Sequence, residues 1–239
     1  MDMPGMKQFL FPLFAAFAFH AAEVRSAEIV NYGICGASSN ILLKRELPQA
    51  LQQIPDLAIV FIGTNDTVNS KTLTTPETYE KNLRITIEIF QKIKCEVMLV
   101  TLPPCNEKLL LLRHAREAYG DLMPNIRLDR ANEIIKKLAA EYKLPLVDFA
   151  SEIKKNGVSG KDSLIRNSEN GGGKDGVHPN AAGYRKLAEI IKAEIDRMKL
   201  HCERIACLGD SITYGVGMAG HGTATGDTYP GVLKELLSK

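Results

Sequence analysis

Arg204-Ile205-Ala206-Cys207-Leu208-Gly209-Asp210-Ser211-Ile212-Thr213-Tyr214 is the stretch whose reading decides the fold. Its apolar first half has the length and composition of a buried strand. The run stops at Gly-Asp-Ser, which sets a serine hydroxyl at the end of that strand. In α/β proteins, ligands bind at the carboxyl ends of parallel strands. Three upstream segments give the serine a setting: Asn31-Tyr32-Gly33-Ile34-Cys35-Gly36, Gly63-Thr64-Asn65-Asp66 and Asp175-Gly176-Val177-His178-Pro179. Between them they offer a base, an orienting carboxylate and hydrogen-bond donors.

Outward from this stretch, strand and helix signals alternate, which predicts a parallel sheet with helices on both faces. Ala27–Asn31, Leu57–Ile62, Glu96–Leu102, Leu144–Phe149 and Arg204–Leu208 read as five strands. Leu57–Ile62 is continuously apolar, as a strand covered on both faces must be. Helices are expected over Leu47–Gln53, Pro76–Ile93, Ile126–Tyr142, Asn180–Lys199 and Tyr229–Leu237. Ile134, Leu138 and Tyr142 recur at helical spacing, the stripe of a helix lying on a sheet. Cys105 to Pro124 has no clear period and reads as a helix or lid over the site. Gly157 to Lys174 is polar, ends in three glycines and reads as a mobile loop.

A chain of 239 residues buries a full core, and residues 27–239 are expected to form one domain. A net charge of +2 gives no reason to invoke nucleic acid or an anionic membrane. With no tryptophan, a Trp-lined sugar platform is excluded. Five cysteines, an odd number without Cys-x-x-Cys or zinc spacing, predict neither a disulfide framework nor a structural metal. Cys95 and Cys207 fall in or beside strands, where a free cysteine is a small apolar filler. The apolar run Phe9–Phe19 follows Lys7 and precedes Val24 and Ser26, the pattern of an export signal over residues 1–26 cleaved after Ser26. The run is too short for a comfortable membrane span. An exported protein, periplasmic or secreted, is expected.

The four segments together resemble the conserved blocks of the SGNH hydrolases, the GDSL esterase/lipase family. That resemblance implies a three-layer α/β/α fold with a flavodoxin-like five-stranded sheet. It implies a serine ester hydrolase working through an acyl-enzyme, with no metal or cofactor. Ser211 would be the nucleophile, His178 the base and Asp175 the carboxylate that fixes its tautomer. The oxyanion donors would be the backbone N–H groups of Ser211 and Gly36 and the side-chain amide of Asn65. Gly63-Thr64-Asn65-Asp66-Thr67 and Thr228-Tyr229-Pro230 are similar to bacterial carbohydrate O-acetylesterases, including sialate O-acetylesterase-like proteins. This points to removal of acetyl groups from carbohydrate esters. A lysophospholipase or arylesterase uses the same machinery, with Leu109–Leu112 as an acyl groove or as ordinary core.

Block order departs from the family, where the serine block comes first. Here it follows the histidine block, so the chain reads as circularly permuted. Its serine strand must then insert between the strands at Ile29 and Ile59. A monomer or a domain-swapped dimer would satisfy that pairing, as would a truncated tandem array. A non-catalytic carbohydrate-binding protein on the same fold and a misassembled product of a rearranged gene are the rivals from other classes. Asp210 is expected to shape the turn, and Asn31 and Gly33 the strand–loop junction. Tyr214 and Tyr229 read as packing residues. His114 and His201 read as surface residues and His221 as a solvated loop residue.

Overall fold

A computed structural model describes residues 27–238, so the expected leader lies outside the described residues. Its strands are β1 (Glu28–Asn31), β2 (Leu57–Phe61), β3 (Glu96–Val100), β4 (Leu146–Val147) and β5 (Arg204–Gly209). They form one parallel sheet in the order β1-β5-β2-β3-β4. Counted from the serine strand, that order is the flavodoxin-like one, 2-1-3-4-5. β5 sits between β1 and β2, as expected. Ile205 is opposite Ile29 on one side and Leu57 on the other.

Helices fill both faces. A short α1 (Ser39–Ile41) runs through a π-helical turn, Leu42–Glu46, into α2 (Leu47–Gln52). Then come α3 (Thr64–Val68), α4 (Pro76–Lys92), α5 (Glu107–Leu110) and α6 (Pro124–Tyr142). The last are α7 (Phe149–Asn156), α8 (Ala181–Met198), α9 (Ser211–Tyr214) and α10 (Tyr229–Leu237). On one face α4 packs with α6 and α1; on the other α8 packs with α10, α7 and β4, and α10 also meets β1. β2 is buried at every position, which explains its unbroken apolar run. Phe61 meets Phe149 and Tyr229 edge-on, with centroids 6.0 and 6.4 Å away. Tyr229 is fully buried and is a packing residue. All five cysteines are free thiols; Cys95 and Cys207 are buried.

Three local expectations change. The fourth strand is only Leu146–Val147, because it is an edge strand and Asp148 turns the chain into α7. The Asp148 side chain accepts the Ser151 N–H, capping that helix. Gly157 to Lys174 is not a free excursion. The Asn167 and Asn170 amides both donate to the Ile165 carbonyl, and Ser163 bonds Ile165 in both directions. Ile165 in turn bridges Pro179, so this stretch braces the segment that carries His178.

Deleting residues 200–239 removes β5 from the middle of the sheet. The product is expected to lose cooperative thermal unfolding, followed by circular dichroism. A truncated chain with one sharp transition at the full-length temperature would contradict this account of the sheet.

Candidate active site

β5 delivers Ser211 to the carboxyl end of the sheet, where the strand turns into α9. Asp210 caps that helix by accepting the Ile212 N–H at 2.8 Å. Gly209 is pinned on both sides: its carbonyl accepts the Ile34 N–H and its own N–H reaches Glu46 at 2.9 Å. Asn31 locks the neighbouring junction, donating to the carbonyls of Thr213 and Thr223 and accepting the Gly33 N–H. Gly33 lies against the Tyr214 backbone so closely that a Cβ would come within 2.3 Å of its nitrogen. Asp210, Asn31 and Gly33 thus shape the turn and its junction, as expected.

His178 reaches Ser211 from the loop before α8. Its Nε2 lies 2.8 Å from Ser211 Oγ, and its Nδ1 lies 2.9 Å from both Asp175 oxygens. An ionised carboxylate only accepts, so Nδ1 carries the proton and Nε2 is free to receive one from the hydroxyl. Asp175 also accepts the backbone N–H groups of Val177 and His178, each at 3.0 Å. Burial raises its pKa, but these bonds and the imidazole outweigh that and hold the carboxyl down at about 2. Arg166 stands 3.4 Å from its other face. The loop is clamped by bonds between the Arg166 N–H and the His178 carbonyl, and between the Gly176 N–H and the Arg166 carbonyl.

Ser211 and His178 line a cavity of about 170 Å³, together with Asn65, Leu110, Arg113 and His114 among others. The Asn65 amide is oriented from both ends. Its Nδ2 donates to the Ala37 carbonyl at 3.0 Å and its Oδ1 accepts from Asn69 at 2.9 Å, leaving one N–H at the cavity wall. Asp66 anchors the helix beneath it by accepting the backbone N–H and hydroxyl of Ser39. Gly36 does not line the cavity. It sits on the adjoining turn at φ +77°, a conformation that favours glycine. Ile34 ties one end of that turn to Gly209, and the Asn65 amide holds the other end at Ala37.

One expectation takes a more exact form, and two features were not anticipated. The segment from Cys105 to Pro124 forms a wall rather than a single helix: α5 and a 3-10 turn, Arg116–Tyr119, flank Arg113 and His114. His114 is a cavity residue, not a plain surface one; its Nδ1 is 2.9 Å from Ser70 Oγ. No periodicity in that segment marks it. Glu46 is fully buried below Gly209, in line with buried Leu42 and Ala50. An acidic residue at i+4 within an apolar stripe was the available signal. Burial pushes its carboxyl up to about 9, with Asp210 adding to the effect and the Gly209 N–H opposing it. Burial likewise raises Asp210 to about 6, against the pull of the Ile212 N–H and of His178.

His221 is exposed and stacks on Tyr214, with ring centroids 5.5 Å apart. His201 is exposed near Glu203 and Asp56, the one group among the described residues close enough to share a metal ion. It lies by the amino end of β5, away from Ser211, and Asp56 is already bonded to Arg204.

A hydroxyl, an imidazole and a carboxylate in relay at the carboxyl edge of a flavodoxin-like sheet are the arrangement of a serine hydrolase. The chain matches the GDSL-like lipase/acylhydrolase family over residues 12–186, and it belongs to that family. It is a GDSL-type ester hydrolase. Its fold is similar to that of a GDSL-like lipase from Bacteroides thetaiotaomicron VPI-5482, with 22% identity and a TM-score of 0.54 over 68% of this chain and 73% of that one. A lipase/acylhydrolase from Enterococcus faecalis gives 23% identity and a TM-score of 0.54 over 70% and 74%. An acetyl xylan esterase, AlAXEase, is 26% identical with a TM-score of 0.52 over 68% and 78%. Among curated proteins the chain matches none.

Glu46 supplies a pH test. Between about 4.5, its ordinary value, and about 9, the folded chain holds a proton that the unfolded chain has released. Stability linked to this group is therefore full below the lower value and falls as pH rises toward the upper one. Glu46→Gln copies the neutral form. Relative to wild type, its melting temperature should gain roughly 8–16 °C between pH 5 and pH 8, about 1.4 kcal/mol for each pH unit on a scale of roughly 2–4 °C per kcal/mol for a domain of this size. An identical wild-type-to-variant difference at both pH values would refute a neutral Glu46.

Proposed function

We propose that the protein removes short acyl groups, acetyl above all, from polar alcohols such as carbohydrates, through an acyl-enzyme on Ser211. The observation that carries this is the unbroken relay from Asp175 through His178 to Ser211 Oγ, every link at 2.9 Å or less. Ser211 Oγ attacks the ester carbonyl carbon while His178 Nε2 takes its proton. The resulting oxyanion is met by the free Asn65 amide N–H and by the backbone N–H of Ser211; the Gly36 N–H, on the adjoining turn outside the cavity wall, is a donor that the family resemblance alone adds. Ser211 opens α9, so its N–H has no partner within that helix. The imidazolium then protonates the departing alcohol. Water, deprotonated by the same base, cleaves the acyl-enzyme and releases the acid.

The cavity supports a small acyl group. It is about 170 Å³, with polar groups and apolar ones such as Val68, Leu110 and Val177 sharing its wall. Of the leucine run, Leu110 lines it, whereas Leu112 is 63% exposed and offers no enclosed groove for a long chain. AlAXEase is an acetyl xylan esterase, which supports the acetyl reading by similarity.

We also propose that the chain is a circular permutation of its family's usual order. The family match ends at residue 186, before β5, yet β5 completes the sheet between β1 and β2. The structural matches leave out about a quarter of the related chains, 73% and 74% being covered, as a sequential superposition would if one segment had moved to the other end. Export remains part of the same reading and is supported by the run Phe9–Phe19.

Hydrolysis of p-nitrophenyl acetate by the purified protein tests the mechanism. Ser211→Ala should abolish turnover, and Asn65→Ala should lower kcat by about 10²–10³, the usual cost of one oxyanion donor. Equal rates for wild type and Ser211→Ala would overturn the proposal.

A further inference from the structure

Arg113 and His114 follow α5 and enter the same cavity as Ser211 and His178. Neither has a role in the relay. His114 Nδ1 faces Ser70, whose hydroxyl lies at 2.9 Å and whose backbone N–H lies at 3.4 Å. A backbone N–H only donates, so Nδ1 is the unprotonated nitrogen and the ring proton sits on Nε2. That Nε2–H has no protein acceptor among the described residues. Arg113 spends one Nη2 hydrogen on the Asp175 carbonyl at 2.6 Å and has no other acceptor there. The two side chains present several N–H donors with nothing to receive them.

The charges around them have one sign. Burial lowers the pKa of His114, and the neighbouring cations Arg113 and Lys71 lower it further, so the imidazole sits neutral in a positive field. No carboxylate lines the cavity with them. Asp175 is committed to His178 and faces Arg166. Glu107, the acidic residue of α5, accepts the Asn125 N–H instead. Asp66 and Asp210 are buried behind the wall. The chain as a whole is nearly neutral, so this concentration of donors and positive charge is local.

We propose that Arg113 and His114 form a carboxylate-binding subsite, and that the preferred ester substrates carry a carboxylate group. This rests on the hydrolase reading of Ser211. A carboxylate has only acceptor sites, which match a guanidinium and a neutral imidazole N–H. It sits either on the alcohol portion, as in a sugar acid, or on the acyl portion, as in the half-ester of a dicarboxylic acid.

Paired substrates distinguish the two. 4-Acetoxybenzoate against 4-acetoxybenzamide tests the alcohol side; 4-nitrophenyl hemiglutarate against 4-nitrophenyl valerate tests the acyl side. In at least one pair, wild-type kcat/KM should favour the carboxylate by about tenfold, the value of one charge-assisted hydrogen bond. The preference should lie in KM and shrink in 0.5 M NaCl. Arg113→Gln should bring the ratio close to one, His114→Phe should reduce it several-fold, and Arg113→Lys should keep part of it. A wild-type ratio at or below one in both pairs would overturn the subsite, as would a ratio unchanged in both Arg113→Gln and His114→Phe. Titration of Ser211→Ala with 4-hydroxybenzoate, followed by the His114 ring resonances, separates this from the hydrolase reading. Resonances that move with 4-hydroxybenzoate and not with 4-hydroxybenzamide support the subsite even if Ser211→Ala were to turn over like wild type. Resonances that stay still beside normal Ser211-dependent hydrolysis defeat the subsite alone.

Discussion

The insertion of β5 between β1 and β2 is the pairing on which everything else rests. It hydrogen-bonds along both edges, opposite Glu28–Asn31 on one side and Leu57–Phe61 on the other. Without it, β1 has no partner and β2 keeps only β3. The same strand leads into Ser211, the proposed nucleophile, so fold completion and site assembly are one event. β5 also comes after every other strand in the chain. A contact between Ile29 and Ile205 closes a loop of most of the domain, the kind of long-range pairing that slows folding.

The site inherits its precision from how tightly the end of β5 is held. Gly209 is bonded through both its N–H and its carbonyl, Asp210 caps α9, and Asn31 ties the first strand to the loop beyond the serine. His178 is held from the other direction, by the antiparallel bridge between Ile165 and Pro179 and the bonds beside it. Two unrelated stretches therefore meet at a fixed distance, and a hydroxyl-to-imidazole bond of 2.8 Å needs no movement to form.

Much of this was legible in the residues, for identifiable reasons. Strands covered on both faces write themselves as continuous apolar runs, so β2, β3 and β5 were plain. Helices with a buried stripe and a clear cap, α4, α8 and α10, fell within a residue or two of expectation. The relay was legible because Asp-Gly-Val-His-Pro and Gly-Asp-Ser are local patterns. What escaped depends on tertiary context. β4 shrank because one neighbour cannot sustain a longer ladder. Gly157 to Lys174 looked loose because its order comes from Asn and Ser side chains rather than from a period. His114 and Arg113 became site residues only because the turn after α5 is tied to the end of α3, the Tyr119 hydroxyl donating to the Val68 carbonyl and His114 meeting Ser70.

Burial divides the acidic groups around Ser211 into two kinds. Glu46 and Asp210 are enclosed, and the cost of a charge there pushes both upward, Glu46 well past neutrality. Asp175 is largely enclosed too, yet the His178 imidazole and the backbone N–H groups of His178 and Val177 keep it ionised. An ionised Glu46 would place a second buried negative charge beneath the end of β5, close to Asp210. Kept neutral, it still accepts the Gly209 N–H and holds the strand end in place without adding that charge. Environments that drive like residues apart in this way let one carboxyl serve geometry and another serve the imidazole. Asp175 is then the carboxylate set against the imidazole, while Asp210 serves the turn and Glu46 the strand end.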